Sequence, residues 1–413
     1  MLDRGAGSVK PDVEQATEAV SPRDRSALAR AVKTHARNLG FDLVGITALE
    51  PSAHAAFYQE WLAQQHHGAM DYLARPDAIA RRLDARAHVP QLRSAIVVAM
   101  NYASTAGEDE SESADRGIIA RYARGRDYHK VIKKKLLELL ALLERDVGHA
   151  LPAGRGYVDT GPVLERELAQ RAGLGWFGRN TMLIHPRRGS YFFLGILLVE
   201  LDLLTDAPLA ADHCGSCNAC VEACPTGALL GRNEQGAPVI AATRCISYLT
   251  IEQRGPIPRE LRPQIGNRIL GCDICQEVCP FTRKFSSPTN EPGFAPRPGM
   301  VSPSLVSLMR MSRDDWDEFS RGSAVRRAGR EGFLRNVAVA LGSWGTDQAI
   351  APLAGALDDD SALVRGHAAW ALGRIPSPRT HAALQARLER EDDASVREEI
   401  EAALLMADGT DDG

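Results

Sequence analysis

Eight cysteines fall between residues 214 and 279, and the chain has no others. They read Cys214-x-x-Cys217-x-x-Cys220-x-x-x-Cys224-Pro225, then Cys245 alone, then Cys272-x-x-Cys275-x-x-x-Cys279-Pro280. In a C-x2-C-x2-C-x3-C-P run, three thiolates hold one [4Fe–4S] cube and the fourth ligates another. Two-residue gaps let the backbone curl around one cube. The three-residue gap swings the fourth cysteine outward, and the following proline stops the segment curling back. Eight thiolates make two cubes with none left over, so the pattern points to electron transfer. Pseudo-symmetry assigns Cys214, Cys217, Cys220 and Cys279 to one cluster, and Cys224, Cys245, Cys272 and Cys275 to the other. Structural zinc favours paired C-x2-C knuckles and fits this spacing poorly. Disulfides belong to secreted chains.

A second candidate lies in Tyr157-Val-Asp-Thr-Gly-Pro-Val-Leu-Glu-Arg166. Asp159 is expected to end a strand, with Gly161-Pro162 turning the chain into a helix. A carboxylate there either points into a ligand crevice, as at strand ends in α/β folds, or caps the helix. The glycines of Gly173-Leu-Gly-Trp-Phe-Gly178 let backbone approach a flat or phosphorylated ligand. They mimic a dinucleotide fingerprint but follow a helix, which weakens that match. Two basic runs stand out. One contains Arg121, Arg124, Arg126, Lys130, Lys133, Lys134 and Lys135; the other contains Arg321, Arg326, Arg327, Arg330 and Arg335. Each is either a phosphate-binding surface or a solvated helix face.

The elements that position these residues follow from periodicity. Residues 1–22 read as a disordered tail. Helical spacing from Arg23 closes at Gly40; Phe41–Thr47 and Ser94–Tyr102 read as strands. Val131–Leu143 and Leu164–Ala172 read as helices, and Tyr157–Asp159 as a strand end. This alternation predicts an α/β domain over 23–205, then a ferredoxin-like domain holding both [4Fe–4S] clusters over 206–290. A Pro/Ser/Gly-rich stretch from Ser286 to Pro303 reads as a linker, within a linker and helical connection over 291–330. Residues 331–405 carry a repeat of about 31 residues. It aligns Leu334–Gly342 with Val364–Gly373 and Val396–Leu404, with second helices over Ala349–Leu357 and Thr380–Leu388. The expectation is an all-α, HEAT-like solenoid, ending in a tail over 406–413.

With 44% hydrophobic and 25% charged residues and a formal net charge of −4, the 413-residue chain gives no global sign of polyanion binding. The longest apolar run, Tyr191–Val199, is too short to span a bilayer and reads as a buried strand. The first residues show no apolar leader region, so the expected compartment is the cytoplasm and no membrane is involved.

Several motifs coincide: VDTGPVLERELAQRAGLGWFGRNT, the cysteine run, CISYLTIEQRGPIP, GNRILGCDICQEVCPFTRK, IARYARGRDYHKVIKKKL and FLRNVAVALGSWG. Together they resemble the epoxyqueuosine reductase family over about residues 25–405. The resemblance implies a cobalamin-binding N-terminal domain, the ferredoxin-like domain, and helical repeats that help hold a tRNA anticodon stem-loop. It also implies a monomer and reduction of the wobble-position epoxide to queuosine, with loss of water. By the same resemblance Asp159 matches the proton donor, with a pKa raised by burial, and Arg82, Asn180, Thr181 and Ser247 match cobalamin contacts. The D-x-H-x-x-G cobalamin fingerprint is absent, since Asp127-Tyr-His129-Lys-Val-Ile132 lacks the glycine. With every cysteine committed, cobalamin is expected base-off. The electron donor is unknown. Competing readings are a reductive dehalogenase-like enzyme and a ferredoxin fused to a docking solenoid.

Overall fold

A computed structural model describes residues 22–104, 113–209 and 211–408. The expected N-terminal tail lies outside the described residues except for Pro22, which opens helix α1 (Pro22–Asn38). This helix buries Val32 and Ala36 and ends before Gly40, whose φ of 85° lets the chain turn.

The chain then enters β1 (Leu43–Ala48) and β2 (Ser94–Asn101). Helix α2 (Tyr128–Val147) follows, then β3 (Arg155–Tyr157), α3 (Glu165–Arg171) and β4 (Phe192–Val199). The sheet order is β1-β2-β4-β3. Every pairing is antiparallel, with Leu43 opposite Ala99, Ala95 opposite Leu198 and Gly156 opposite Leu197. Strands and helices do alternate, but their connections return each strand against its neighbour rather than alongside it. β2 is buried over seven consecutive residues because helices cover both faces. On one face α2 buries Ile132, Leu136, Leu139 and Leu143, each contributing roughly 1.5–3 kcal/mol.

The cysteine region is built from short pieces: α4 (Ala219–Glu222), α5 (Ile246–Ile251), α6 (Ile274–Glu277) and α7 (Pro280–Phe285). Loops between them carry the thiols. Arg268–Leu270 pairs in parallel with Ile118–Ile119, a ladder that welds this region to the first. The stretch expected to be a linker is also packed. Phe294 is buried against Phe193 at 5.0 Å between ring centres, and Gly293 accepts a hydrogen bond from the Arg126 backbone at 2.7 Å. Its proline and glycine content reports an irregular strap, not a flexible tether.

The C-terminal repeats are α8 (Gly329–Trp344), α9 (Asp347–Ala356), α10 (Ala362–Gly373), α11 (Pro378–Leu388) and α12 (Ala394–Asp408). The last runs into the stretch expected to be a tail. Gly342 and Gly373 explain the period. A Cβ on Gly342 would sit 2.8 Å from Ala371 Cα, and one on Gly373 would sit 2.7 Å from Ala403 Cα. Each repeat thus keeps a glycine where the next helix crosses closely. One continuous apolar core runs from α1 to α12.

Candidate active site and cluster cages

The eight cysteines are free thiols drawn into two neighbourhoods. Cys214, Cys217, Cys220 and Cys279 line one cavity with Arg179, Asn180, His213 and Phe281. Burial, then the neighbouring Cys214, pushes the Cys220 thiol up to about 11, with Cys279 and Cys217 adding to it. Cys275 rises further through burial and then Cys272 and Cys245; Cys245 also feels Cys224. Cys275 also feels Cys220, so the two neighbourhoods adjoin each other. Among the described residues no three His, Cys, Asp or Glu side chains converge on a single ion. The four thiols around the first cavity suit an iron–sulfur cube, whose ligand spacing they carry.

Backbone amides support the sulfurs. The Ala228 N–H donates to Cys224 Sγ at 3.3 Å, and the Cys245 thiol, burial aside, is stabilised as thiolate by the amides of Tyr248 and Ser247 and by the Ser247 hydroxyl. Ser247 thus sits against a cysteine. Asn180 is buried, donates to the Cys275 carbonyl at 3.2 Å and accepts from the Met182 amide at 3.1 Å. Its amide ties the β-hairpin Trp176–Ile184 to the second set of thiols. Thr181 stands at φ 61°, a conformation that points its carbonyl to the Arg166 guanidinium.

Asp159 follows β3 on a turn with φ 60°. A non-glycine residue there is strained, and such strain marks positions fixed for function. The turn is latched from behind: the Asp159 N–H donates to Glu165 Oε1 at 2.6 Å. Burial, then the charge of Asp159, pushes the Glu165 carboxyl up to about 8. Asp159 does not cap α3, whose N-cap is Leu164. Its Oδ2 instead receives Tyr128 Oη at 3.0 Å, Arg327 Nη1 at 3.2 Å and lies 3.3 Å from His129 Nε2. On the far side, His129 Nδ1 meets Asp127 Oδ1 at 2.7 Å.

Enclosure by protein pushes the Asp159 carboxyl up, but His129, Arg327 and Tyr128 outweigh it and hold the pKa below the ordinary carboxylate value. This corrects the expectation of a raised pKa: the residues that enclose Asp159 are hydrogen-bond donors and cations, not apolar groups. His129 moves the other way. Burial disfavours its charge, yet Asp127 and Asp159 raise its pKa. Of the two groups, the imidazole therefore holds a proton more readily than the carboxyl. Asp159 is also 53% exposed, so it lines an open recess. Tyr72 shares that recess. Crowding, then the charges of Glu252 and Asp159, push its hydroxyl up to about 12, while Arg82 and Arg327 oppose them. Arg82 and Asp159 thus both act on Tyr72.

The two basic runs separate by role. Arg126, Lys130, Lys133, Lys134, Arg321 and Arg326 are exposed. Arg121 is spent on Asp273 and Glu277, Arg124 on the Ile119 carbonyl, and Arg330 on Asp359. Arg335 is fully buried and donates to the carbonyls of Leu249, Gln253 and Gly255. Sequence reasoning passed over Tyr128 and His129 because Asp127-Tyr-His129 was tested only as a cobalt-ligand string. It grouped Arg327 with surface cations. Only its 168-residue distance from Asp159 along the chain hid the contact.

Comparison with known proteins accords with this layout. Residues 82–160 match the family described as Epoxyqueuosine reductase QueG. Residues 213–282 match a 4Fe-4S double cluster binding domain, and 321–405 match HEAT repeats. The chain is similar to the epoxyqueuosine reductase of Pseudomonas aeruginosa, 42% identical over 86% of this chain and 96% of that one. It is 40% identical to that of Escherichia coli over 86% of this chain and 91% of the relative. Among solved structures it is similar to an epoxyqueuosine reductase with a tRNA-Tyr epoxyqueuosine-modified stem loop, at a TM-score of 0.82 and 30% identity. That match covers 92% of this chain and 99% of the other. Such likeness, along nearly the whole length of its relatives, places the chain in the epoxyqueuosine reductase family.

Proposed function

We propose that this enzyme reduces epoxyqueuosine to queuosine in the anticodon stem-loop of tRNA, in the cytoplasm and as a monomer. Residues 23–205 form its cobalamin-binding catalytic domain, 206–290 its two-cluster domain, 291–330 the connection and 331–405 the repeat domain. The net reaction breaks the epoxide, consumes two electrons and two protons, and releases one oxygen as water. When bound, the two [4Fe–4S] clusters and base-off cobalamin supply those electrons at low potential. The eight cysteines hold the clusters in the two sets given above. The recess beside Asp159 suits base-off cobalamin: both nitrogens of its histidine, His129, are engaged by Asp127 and Asp159, and the cysteines face one another. Arg82, Asn180, Thr181 and Ser247 are the proposed cofactor-side contacts.

The observation that carries this reading is the position of Asp159, strained, half exposed and 3.3 Å from an imidazole whose pKa its neighbouring carboxylates raise. An epoxide oxygen leaves easily only if protonated. Asp159, itself ionised, relays to that oxygen a proton taken from His129, whose charge Asp127 stabilises. Tyr128 and Arg327 orient the carboxylate meanwhile. Exposed Arg126 and Lys130 meet RNA phosphates. The test is incubation of the cluster- and cobalamin-loaded protein with an epoxyqueuosine stem-loop and dithionite. The product nucleoside should be lighter by one oxygen, and a fully loaded protein that leaves the stem-loop unchanged refutes the reading.

A further inference from the structure

We propose that the surface around α7 is the docking site for a small acidic electron-carrier protein that reduces the outer cluster. This rests on the reading of Cys214, Cys217, Cys220 and Cys279 as cluster ligands. Cys217 is exposed, so that cage opens to the surface, whereas Cys245 and Cys272 pack against the apolar core. Electrons from outside enter where a carrier approaches the cluster most closely.

What surrounds this opening is cationic. Cys279 is the N-cap of α7, and Phe281 of α7 lines the cage. Arg283 and Lys284 follow on the same helix, both exposed. The loop from His185 to Gly189 lies against α7. A Cβ on Gly189 would fall 2.5 Å from Thr282 Cα, and Ser190 Oγ lies 3.0 Å from Thr282 Oγ1. That contact brings exposed Arg187 and Arg188 beside Arg283 and Lys284. Beyond them a crevice is lined by Arg188, Phe285 and Ser287, so the surface is continuous from the cage across α7.

Few acids balance these charges. Asp42 takes up Arg188 at 3.3 Å, and Asp212 beside the cage is taken up by Arg232 at 2.8 Å. Arg187, Arg283 and Lys284 have no carboxylate partner among the described residues. A chain of net charge −4 has thus concentrated unpaired cations at its electron entrance. Charge of one sign steers an oppositely charged partner and speeds encounter. RNA is also an anion, but the residues of the Asp159 recess come from other elements.

The test uses the cluster-loaded full-length protein and its R187E/R283E/K284E variant, with R187Q/R283Q/K284Q as the milder change. Each is mixed anaerobically with a reduced bacterial flavodoxin, and cluster bleaching is followed by absorbance. We expect a bimolecular rate at least tenfold lower for the glutamate variant at low salt, a smaller loss for the glutamine variant, and convergence of all three at high salt. Iron content, bleaching by dithionite and affinity for an unmodified anticodon stem-loop should not change. Equal flavodoxin rates, or wild-type clusters that flavodoxin does not bleach, overturn the proposal. Loss of stem-loop affinity with unchanged flavodoxin rates makes this an RNA surface instead. Because bleaching needs no substrate, failure here is distinct from failure of the reductase reading.

Discussion

Arg327 and Asp159, 168 residues apart, meet through a guanidinium–carboxylate contact of 3.2 Å. Arg327 lies just before the first repeat helix, and its own carbonyl accepts Arg254 Nη1 at 2.8 Å. Both side chains are partly exposed, 35% and 53%, so the pair contributes on the order of 1 kcal/mol or less to stability. Its value is local charge. The repeat region places a fixed cation on the carboxylate at the centre of the recess, and so completes a site that the N-terminal region alone leaves unfinished.

Asp159→Asn keeps the size of the side chain and removes the carboxylate that relays the His129 proton. Turnover of the epoxyqueuosine stem-loop should fall by roughly 10²–10⁴-fold, the usual worth of a general acid. Cobalamin content and stem-loop affinity should hold. Loss of cobalamin, measured by corrin absorbance, would show that the residue builds the pocket instead.

The array sets a pH dependence with a definite sign. The state able to deliver a proton carries it on His129, so kcat/KM should fall as pH rises through that raised pKa. Arg327 lowers the pKa of both His129 and Asp159, so Arg327→Gln should move the alkaline limb to higher pH. His129→Gln should move it to lower pH, because the proton then rests on a carboxyl, whose ordinary pKa lies below that of an imidazole. In stability, the contribution of His129 is complete below the ordinary histidine value and is lost as pH rises through its raised one. That of Asp159 is lost as pH falls through its lowered one. A pH–rate profile of Arg327→Gln displaced the opposite way contradicts the assignment.

The two cages make pairs of cysteine substitutions informative. Cys217→Ala with Cys279→Ala should remove one cluster and about half the iron, since a cube needs its full ligand set. Cys217→Ala with Cys275→Ala should remove both. Iron and sulfide analysis of anaerobic protein decides, and equal losses from the two doubles would dissolve the grouping.

Within the basic runs, burial predicts opposite phenotypes. Arg335→Ala leaves three buried carbonyls without their donor and should destabilise the fold by about 3 kcal/mol or more, read as a lower Tm. Stem-loop binding below that Tm should be unaffected. Lys130→Ala should leave Tm within about 0.5 kcal/mol of the parent. It should also reduce the salt dependence of stem-loop affinity by about 0.7–0.9 in log–log slope. A salt slope unchanged in Lys130→Ala would remove that residue from the RNA surface.

The sequence determined what chain-local chemistry can determine. Thiol spacing is set by the reach of a few residues, so the cysteine run announced a double-cluster domain. Helix and strand periods arise within one element, so α2, β2 and β4 were legible to within a few residues. The repeat was legible because its copies share a helical apolar pattern, and the first two carry glycine at the same crossing. Tertiary structure decided the rest. The sheet pairs antiparallel because the choice between neighbours depends on how the connecting segments pack, not on strand composition. Ser286–Pro303 is a packed strap because Phe294 finds Phe193, a contact no local pattern encodes. Arg335 and Arg327 look alike in a basic run; one is buried beneath carbonyls and the other reaches a carboxylate. The Asp159 pKa turned on donors from Tyr128, His129 and Arg327. Charge interactions act through space, and their sign depends on which side chains the fold brings within a few ångströms.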